Sequence, residues 1–370
     1  MTNRSLPVLG LLAAVAALGC GDDDVVPPGV DGGVAPMDGG MRTDAGPTPA
    51  GDGAVPGVDA GPGTMTDAGP GTMTDAGPGT TTDAGPAFDA GPPAPEGCIT
   101  SVAAGHHMFT CDELVYDVEV SASCAAGGCG LIFDVHGATM TATVEDRNTD
   151  LRALGSARGY IVVQPTAPPG TLGPSWDPAR DDPKVLAFLE LTMRAYRVNP
   201  DRVHFTGFSQ GGYMTWRMLC AHAELFASVA PAAACTGTLF PACAFSATER
   251  PAVEVPVLYM HGRGDNIVAF SCGQGQRDAV VAGWSMTTDS VVSMDADHTW
   301  TRWRSAGGNT FEFIEHGYEA YSRILGGHCF PGSPDIGTSR FGTSGFGCDA
   351  TTPFDWGETV IAFFEAHPRR

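Results

Sequence analysis

Residues 203–212 read Val203-His204-Phe205-Thr206-Gly207-Phe208-Ser209-Gln210-Gly211-Gly212. Five of them, Gly207 to Gly211, spell the G-x-S-x-G pattern of a nucleophile elbow. A strand-like stretch, Val203 to Thr206, precedes the pattern and a helix-like stretch, Tyr213 to His222, follows it. The pattern carries meaning only in that strand–turn–helix setting. There the serine sits in a strained turn with its hydroxyl exposed, and side chains in place of the flanking glycines would collide. The serine also opens a helix, whose free N–H groups favour developing negative charge.

Outward from this turn, strands and helices alternate. Met108 to Val120 predicts an entry hairpin, and Gly130 to Val135 a short buried strand that ends at His136-Gly137. Thr141 to Asp150 is a mostly polar segment leading into a helix over Leu151 to Arg158. Gly159 to Gln164 is a second apolar strand. Over Asp182 to Tyr196, Val185, Phe188, Leu189, Met193 and Tyr196 recur at helical spacing. Past the elbow come the apolar segment Phe226 to Ala234, strands Val255 to Met260 and Asn309 to Glu315, and a closing helix, Phe354 to Ala366. This alternation predicts an α/β fold with a mostly parallel central sheet flanked by helices on both faces. In such sheets, functional groups gather at the carboxyl ends of the strands.

A serine hydroxyl is a poor nucleophile unless a base stands within hydrogen-bond reach. Partners of an elbow serine follow it in the chain order acid, then histidine. Asp265 lies just past the strand ending at Met260, in His261-Gly262-Arg263-Gly264-Asp265, where the glycines allow a turn that aims its carboxylate. His298, His316, His328 and His367 follow it. His328, in the turn-forming run Gly326-Gly327-His328-Cys329-Phe330-Pro331-Gly332, is the expected base, with His298 as the alternative. The Arg263-Gly264-Asp265 tripeptide also spells an adhesion motif, but the turn accounts for the same residues.

The chain has 370 residues, more than a single α/β domain of about 250–300 residues needs. Residues 1–20 read as an export signal: Arg4, an apolar run from Leu6 to Leu18, then Gly19-Cys20. The run is too short for a permanent membrane span. Ala17-Leu18-Gly19-Cys20 is similar to a bacterial lipoprotein processing site, although leucine is more usual where Ala17 stands. That reading lipidates Cys20; the alternative is an ordinary signal peptide with an incidental cysteine. Residues 21–97 repeat Asp-Ala-Gly-Pro at Asp44, Asp59, Asp67, Asp75, Asp83 and Asp89. They offer little apolar surface to offset the entropy of ordering, so a disordered, self-repelling spacer is expected. With 12 Asp, one Glu and one Arg, the spacer has a net charge of −12, more than half of the chain's −22. The acidity is therefore largely the spacer's, and so acidic a chain is a poor nucleic-acid partner. The catalytic domain is expected over 98–370.

Cysteine usage agrees with export. Ten cysteines follow Cys20, an even number that suggests disulfides. Cys124–Cys129 and Cys98–Cys111 are plausible pairs, and the remaining connectivity is open. No C-x-x-C or H-x-x-x-H spacing supports a metal, so neither metal nor cofactor is expected.

The chain resembles the α/β-hydrolase esterases grouped with polyhydroxybutyrate depolymerases, feruloyl esterases and acetyl-xylan esterases (carbohydrate esterase family 1 and relatives). The matching pieces span roughly residues 108 to 365. They are His136-Gly137, Tyr160-Ile161-Val162-Val163 with Pro165, Ser175-Trp176, Asp181-Asp182, Asn199-Pro200-Asp201-Arg202-Val203, Gly207 to Gly212, His261-Gly262 with Asp265, and Gly326-Gly327-His328. The resemblance implies an oxyanion hole made by the backbone N–H groups of Ala138 and Gln210. It places Phe330 where relatives often carry tryptophan, keeping an aromatic wall but losing the indole N–H. Trp176, on a Gly- and Pro-rich loop, would either stack on substrate or pack internally. His136 and the Asp181-Asp182 pair read as structural. Fungal members bridge the cysteine after the histidine to one before the serine. Here Phe208 precedes Ser209, so Cys329 must pair elsewhere, with Cys272 or Cys348, or stay free.

The expectation is an exported, lipid-anchored, monomeric serine esterase that needs no cofactor and touches membrane only through its N-terminal lipid. The ester class is open: polyester, feruloylated or acetylated xylan, or short soluble esters. The rivals are a serine peptidase of the same fold and a catalytically silent surface-binding module.

Overall fold

The computed structural model describes residues 91–236, 242–246, 248–342 and 345–369. The export segment with Cys20, and the spacer up to residue 90, lie outside the described residues. Packing begins ahead of Cys98: the Ala94 N–H donates to the Ala195 carbonyl, and Glu96 pairs with Arg194 at 2.9 Å.

In chain order the elements are β1 (Gly105–Cys111), β2 (Leu114–Val120), β3 (Gly130–Val135), α1 (Ala142–Thr149), α2 (Leu151–Ala157) and β4 (Tyr160–Thr166). The two-residue strands β5 (Pro169–Gly170) and β6 (Gly173–Pro174) make a small hairpin, followed by α3 (Pro178–Ala195), β7 (Val203–Phe208), α4 (Gln210–His222), β8 (Ser228–Ala232) and β9 (Val257–Gly262). Then come α5 (Phe270–Gly283), β10 (Thr287–Met294), β11 (His298–Arg304), β12 (Thr310–His316) and α6 (Trp356–Ala366).

Among the described residues, ten strands form one sheet in the order β1-β2-β4-β3-β7-β8-β9-β12-β11-β10. The six central strands, from β4 to β12, run parallel, and antiparallel pairs close both edges. This bears out the mostly parallel sheet read from the alternation of elements. Each parallel strand is buried on both sides. Leu131, Phe133, Phe205 and Tyr259 point into one core; Ile132, Val162, Met260 and Ile314 point into the other. The period of two assigns successive residues to opposite faces.

Three segments differ from the sequence reading. The polar stretch before Leu151 is a helix, α1, capped by Thr141, whose hydroxyl accepts from Val144 N–H. Its buried positions are Ala142, Glu145, Asn148 and Thr149, so no apolar stripe announces it. Helix α3 starts at Pro178 rather than Asp182, because Asp177 caps it and proline suits a first helical position. Strands β10 and β11 extend the sheet beyond β12, and the exposure of most of β10 hides the alternation that marks a strand.

Ten cysteines are paired: Cys98–Cys111, Cys124–Cys129, Cys220–Cys243, Cys235–Cys272 and Cys329–Cys348. Both local pairs read from the sequence are present, and of the two partners considered for Cys329 it is Cys348 that takes it. No helix of the described residues is long and apolar enough to cross a membrane.

Candidate active site

Strand β7 lies at the middle of the parallel sheet, between β3 and β8, and α4 begins one residue after it. The residue between them, Ser209, has φ 53° and ψ −115°. A non-glycine residue in this region stores roughly 1–3 kcal/mol of strain, and the surroundings must enforce it. Ser209 N–H donates to the Ala232 carbonyl on β8, and its carbonyl accepts from Tyr213 N–H, each at 2.9 Å. The glycines give the turn its room. A Cβ on Gly211 would lie 1.7 Å from the Val135 carbonyl oxygen, and one on Gly207 would lie 2.6 Å from the Gly211 carbonyl carbon. The Ser209 side chain thus stands at the sheet's carboxyl edge. Its hydroxyl makes no hydrogen bond among the described residues.

Asp265 and His328 come together. His328 Nδ1 lies 2.7 Å from Asp265 Oδ2. The other carboxylate oxygen accepts the N–H groups of Ile267 and Val268, each at 2.8 Å. Burial by itself would raise this carboxyl, but His328, His261 and the Val268 N–H outweigh it and hold Asp265 below the usual carboxylate range. The acid turn and the histidine loop are stitched backbone to backbone: Asp265 bridges Gly326, and Gly327 N–H donates to the Gly264 carbonyl at 2.8 Å. With Nδ1 engaged by the acid, Nε2 of His328 is the ring nitrogen left to take a proton. The ring lies 4.5 Å from that of Phe208, the residue before the serine. Cys329–Cys348 and the Phe330–Phe346 backbone bond anchor the loop from behind.

His298 opens β11 in another setting. Its Nδ1 lies 2.9 Å from Asp295 and its Nε2 2.8 Å from Ser293 Oγ, so both ring nitrogens are engaged there.

The loop after β3 approaches the serine closely: a Cβ on Gly137 would lie 3.1 Å from the Ser209 Cβ. The N–H groups of Ala138 and Gln210 have no hydrogen-bond acceptor among the described residues. Gln210 opens α4, where a first-turn N–H lacks an intrahelical partner. Several contacts fix the loop. His136 Nδ1–H donates to the Gly137 carbonyl at 2.6 Å, and its Nε2 accepts from Ala167 N–H at 3.0 Å. Burial lowers its pKa to about 4, so it stays neutral. Thr139 takes φ 67° and donates its N–H to the Pro174 carbonyl at 2.8 Å. His136 is therefore a structural hydrogen-bonder, as its position after a buried strand implied.

Two side chains sit elsewhere than a substrate wall requires. Trp176 is 3% exposed; its indole N–H donates to the His136 carbonyl at 2.9 Å, and its ring lies 5.0 Å from the His136 ring. Of the two roles open to it, internal packing is the one the structure gives. Phe330 is 0% exposed and packs 4.1 Å from Phe208, so it supports the histidine loop from within the core instead of facing an incoming ester. Sequence reasoning missed the job of Gln210's side chain. Its Oε1 accepts from Trp176 N–H at 3.0 Å and from Ser175 Oγ at 3.2 Å, tying the elbow to the Trp176 loop. It also missed His261, which is fully buried 3.6 Å from Asp265 and bonds the Val268 carbonyl at 2.9 Å. Gly273 on α5 makes room for this ring: a Cβ there would lie 2.6 Å from His261 Nδ1.

A family model described as Phospholipase/Carboxylesterase matches residues 180–302. The matched stretch includes Ser209, Gln210 and Asp265 and ends before His328. Among curated proteins, the chain is similar to a bifunctional acetylxylan esterase/xylanase of Neocallimastix patriciarum: 29% identity over 148 residues, 39% of this chain and 20% of that protein. It is also similar to feruloyl esterase B of Piromyces equi: 30% identity over 161 residues, 42% of this chain and 28% of that protein. The chain thus spans well under half the length of these relatives. An acetyl xylan esterase structure from Aspergillus awamori aligns with TM-score 0.46 and 16% identity, covering 57% of this chain and 93% of that one. The parallel sheet and the strained serine turn at its centre give this chain an α/β-hydrolase fold, and the stretch around that turn is similar to the Phospholipase/Carboxylesterase family.

Proposed function

We propose that this chain is an exported serine esterase in which Ser209 is the nucleophile, His328 the general base and acid, and Asp265 the residue that orients His328. The observation that carries the reading is the 2.7 Å Asp265–His328 pair, whose histidine ring lies 4.5 Å from that of Phe208, the residue before the strained, glycine-flanked Ser209. In the first half-reaction Ser209 Oγ attacks the ester carbonyl while His328 Nε2 takes its proton. Asp265 stabilises the imidazolium without itself becoming protonated. The N–H groups of Ala138 and Gln210 receive the oxyanion, donors each worth roughly 3–4 kcal/mol in such sites. Collapse breaks the bond to the alcohol, which leaves with the proton from Nε2. Water then attacks the acyl-enzyme while Nε2 takes its proton, and collapse breaks the bond to Ser209 Oγ, which takes that proton back from Nε2 as the carboxylic acid is released.

Similarity to an acetylxylan esterase and a feruloyl esterase supports carboxylic esters as the substrate class, with cell-wall esters and short soluble esters ahead of crystalline polyester. Five disulfides support an oxidising compartment. A lipid on Cys20 would anchor the monomeric protein to a membrane surface.

The test is a fluorophosphonate probe on the purified protein, together with turnover of nitrophenyl acetate, methyl ferulate and hydroxybutyrate oligomers. Labelling and turnover are expected in the wild type. Ser209→Ala should abolish labelling and lower kcat by about 10⁶-fold. A wild-type protein that neither labels nor turns over any of these esters would instead be a surface-binding module.

A further inference from the structure

Two carboxyl groups are buried directly behind the oxyanion loop. Asp134 lies on β3, three residues before Gly137, and is 1% exposed. Glu145 lies in the first turn of α1 and is 0% exposed. Thr149 joins the two residues, its hydroxyl donating to Asp134 Oδ2 at 2.9 Å and to the Glu145 backbone carbonyl at 3.2 Å, and the Glu145 carboxyl is acted on by the Asp134 carboxyl and by the Gly137 backbone. Asp134 Oδ2 accepts from Gln164 Nε2 at 2.7 Å and from Thr149 Oγ1 at 2.9 Å. Asp134 Oδ1 and both Glu145 oxygens have no hydrogen-bond partner among the described residues.

The surroundings cannot support two negative charges. Arg152 on α2 donates to Gln164 Oε1, and its ion pairs are with Asp146 at 3.7 Å and Asp117 at 3.8 Å. Asp146, beside Glu145 on α1, adds a further negative charge. Two adjacent carboxylates shielded from water resolve this by retaining a proton, as in other carboxyl pairs that share a site. The retained proton also supplies the missing donor, because a protonated carboxyl can donate to an orphan oxygen of its neighbour. Burial, the largest influence on each, pushes Asp134 up to about 6 and Glu145 well above its ordinary value.

We propose that Asp134 and Glu145 share one proton, and that this carboxyl–carboxylate hydrogen bond holds Glu145 against Gly137 N–H and so positions the Ala138 N–H beside Ser209. Neither residue touches the reacting atoms; both are positioning residues. The link to the site is short. Gly137 lies against Ser209, and Ala138 is the next residue along. Loss of the shared proton at alkaline pH leaves two facing charges, which drive Glu145 away from the loop. The groups facing the pair are then Asp146 on its own helix, Gln164 on β4, Thr149 at the end of α1, and Arg152 beyond Gln164. None of these supplies a compensating positive charge directly.

The inference rests on the esterase reading, and the experiment separates the two. Wild-type turnover and its loss in Ser209→Ala test the reading itself. Within an active enzyme, Glu145→Ala is expected to lower kcat by about 10²-fold, the scale of a lost oxyanion donor, with KM within about threefold. Glu145→Gln, whose amide donates to Asp134 and accepts from Gly137, is expected to recover at least about tenfold of that loss. Its kcat–pH profile is expected to lack an alkaline fall seen in the wild type, since the amide does not ionise. Should Glu145→Ala fail to fold, the Gln variant decides alone. An alkaline limb unchanged in Glu145→Gln, or Glu145→Ala turning over at the wild-type rate, would overturn the proposal.

Discussion

The ring of Phe208 lies 4.5 Å from the ring of His328, so the residue that leads into the serine turn also forms the wall against which the histidine rests. One side chain thereby sets the spacing between two loops that are 119 positions apart in the chain. Phe330, at 4.1 Å, completes a buried aromatic stack behind the histidine. Phe208→Ala should cost about 3–5 kcal/mol through cavity formation. Activity should fall beyond what residual folding explains, because His328 loses its support. Denaturant unfolding alongside kcat measured well below the midpoint separates the two effects; a full-rate, destabilised variant would show that Phe208 only packs.

Asp265 accepts two backbone N–H groups as well as the histidine, which keeps its carboxylate ionised and aimed. Asp265→Asn should leave the turn folded but present an amide that favours the wrong imidazole tautomer. The expected loss in kcat is about 10⁴-fold, as seen when the acid of a serine triad becomes its amide. Steady-state kinetics on nitrophenyl acetate test this, and near-normal turnover would remove Asp265 from the mechanism.

Cys329 follows the histidine directly, and its bridge to Cys348 closes a loop with a sequence separation of 19. A loop of that size contributes about 3 kcal/mol in the chain-entropy model. Replacing both cysteines by serine should lower the melting temperature and reduce kcat more than KM, since the segment carrying His328 gains freedom. Breaking Cys124–Cys129, remote from this loop in the sequence, should lower stability alone. Equal catalytic effects from the two pairs would show that neither bridge acts on the histidine.

His136 is buried and neutral, with its pKa lowered to about 4 by burial. Unfolded, the same ring titrates near 6.5, so the unfolded state binds the extra proton between these values. Stability from this group is therefore complete above about pH 6.5 and is lost as pH falls toward 4. The loss is on the order of 3 kcal/mol. His316, lowered to about 3 by burial, acts with the same sign. Melting temperature followed from pH 7 to pH 4 should fall, and His136→Gln should flatten part of that fall.

The elbow was legible because its chemistry demands small residues at fixed offsets, and Gly207 and Gly211 stand where backbone atoms crowd. Asp265 and His328 were legible through chain order and the glycines around them. Chain order could not separate His328 from His298; contact with Asp295 and Ser293 does that, and it depends on strands β10 and β11 that exposure concealed. Trp176 and Phe330 illustrate another limit. An aromatic residue near a functional loop looks the same in sequence whether it faces a ligand or the core. The structure buries both, using the Trp176 indole N–H to tie down His136. Glu145 was hidden because α1 buries polar groups, while Asp134 stood in plain view inside an apolar strand as a charge with no stated partner.

The close approach of Gly211 to the Val135 carbonyl has a consequence for mutational tolerance. The floor of the site is sealed: any side chain at 207 or 211 must displace backbone, and one at 137 would press on Met140 and Ser209. Libraries aimed at new acyl preferences should therefore leave that floor intact and draw their diversity from the rim. The hairpin β5–β6 is the natural place to begin, because Gly173 lies against Thr139 while its neighbour Leu172 is 43% exposed. Substitutions there are expected to alter the surface beside Thr139 without disturbing the geometry of the serine turn.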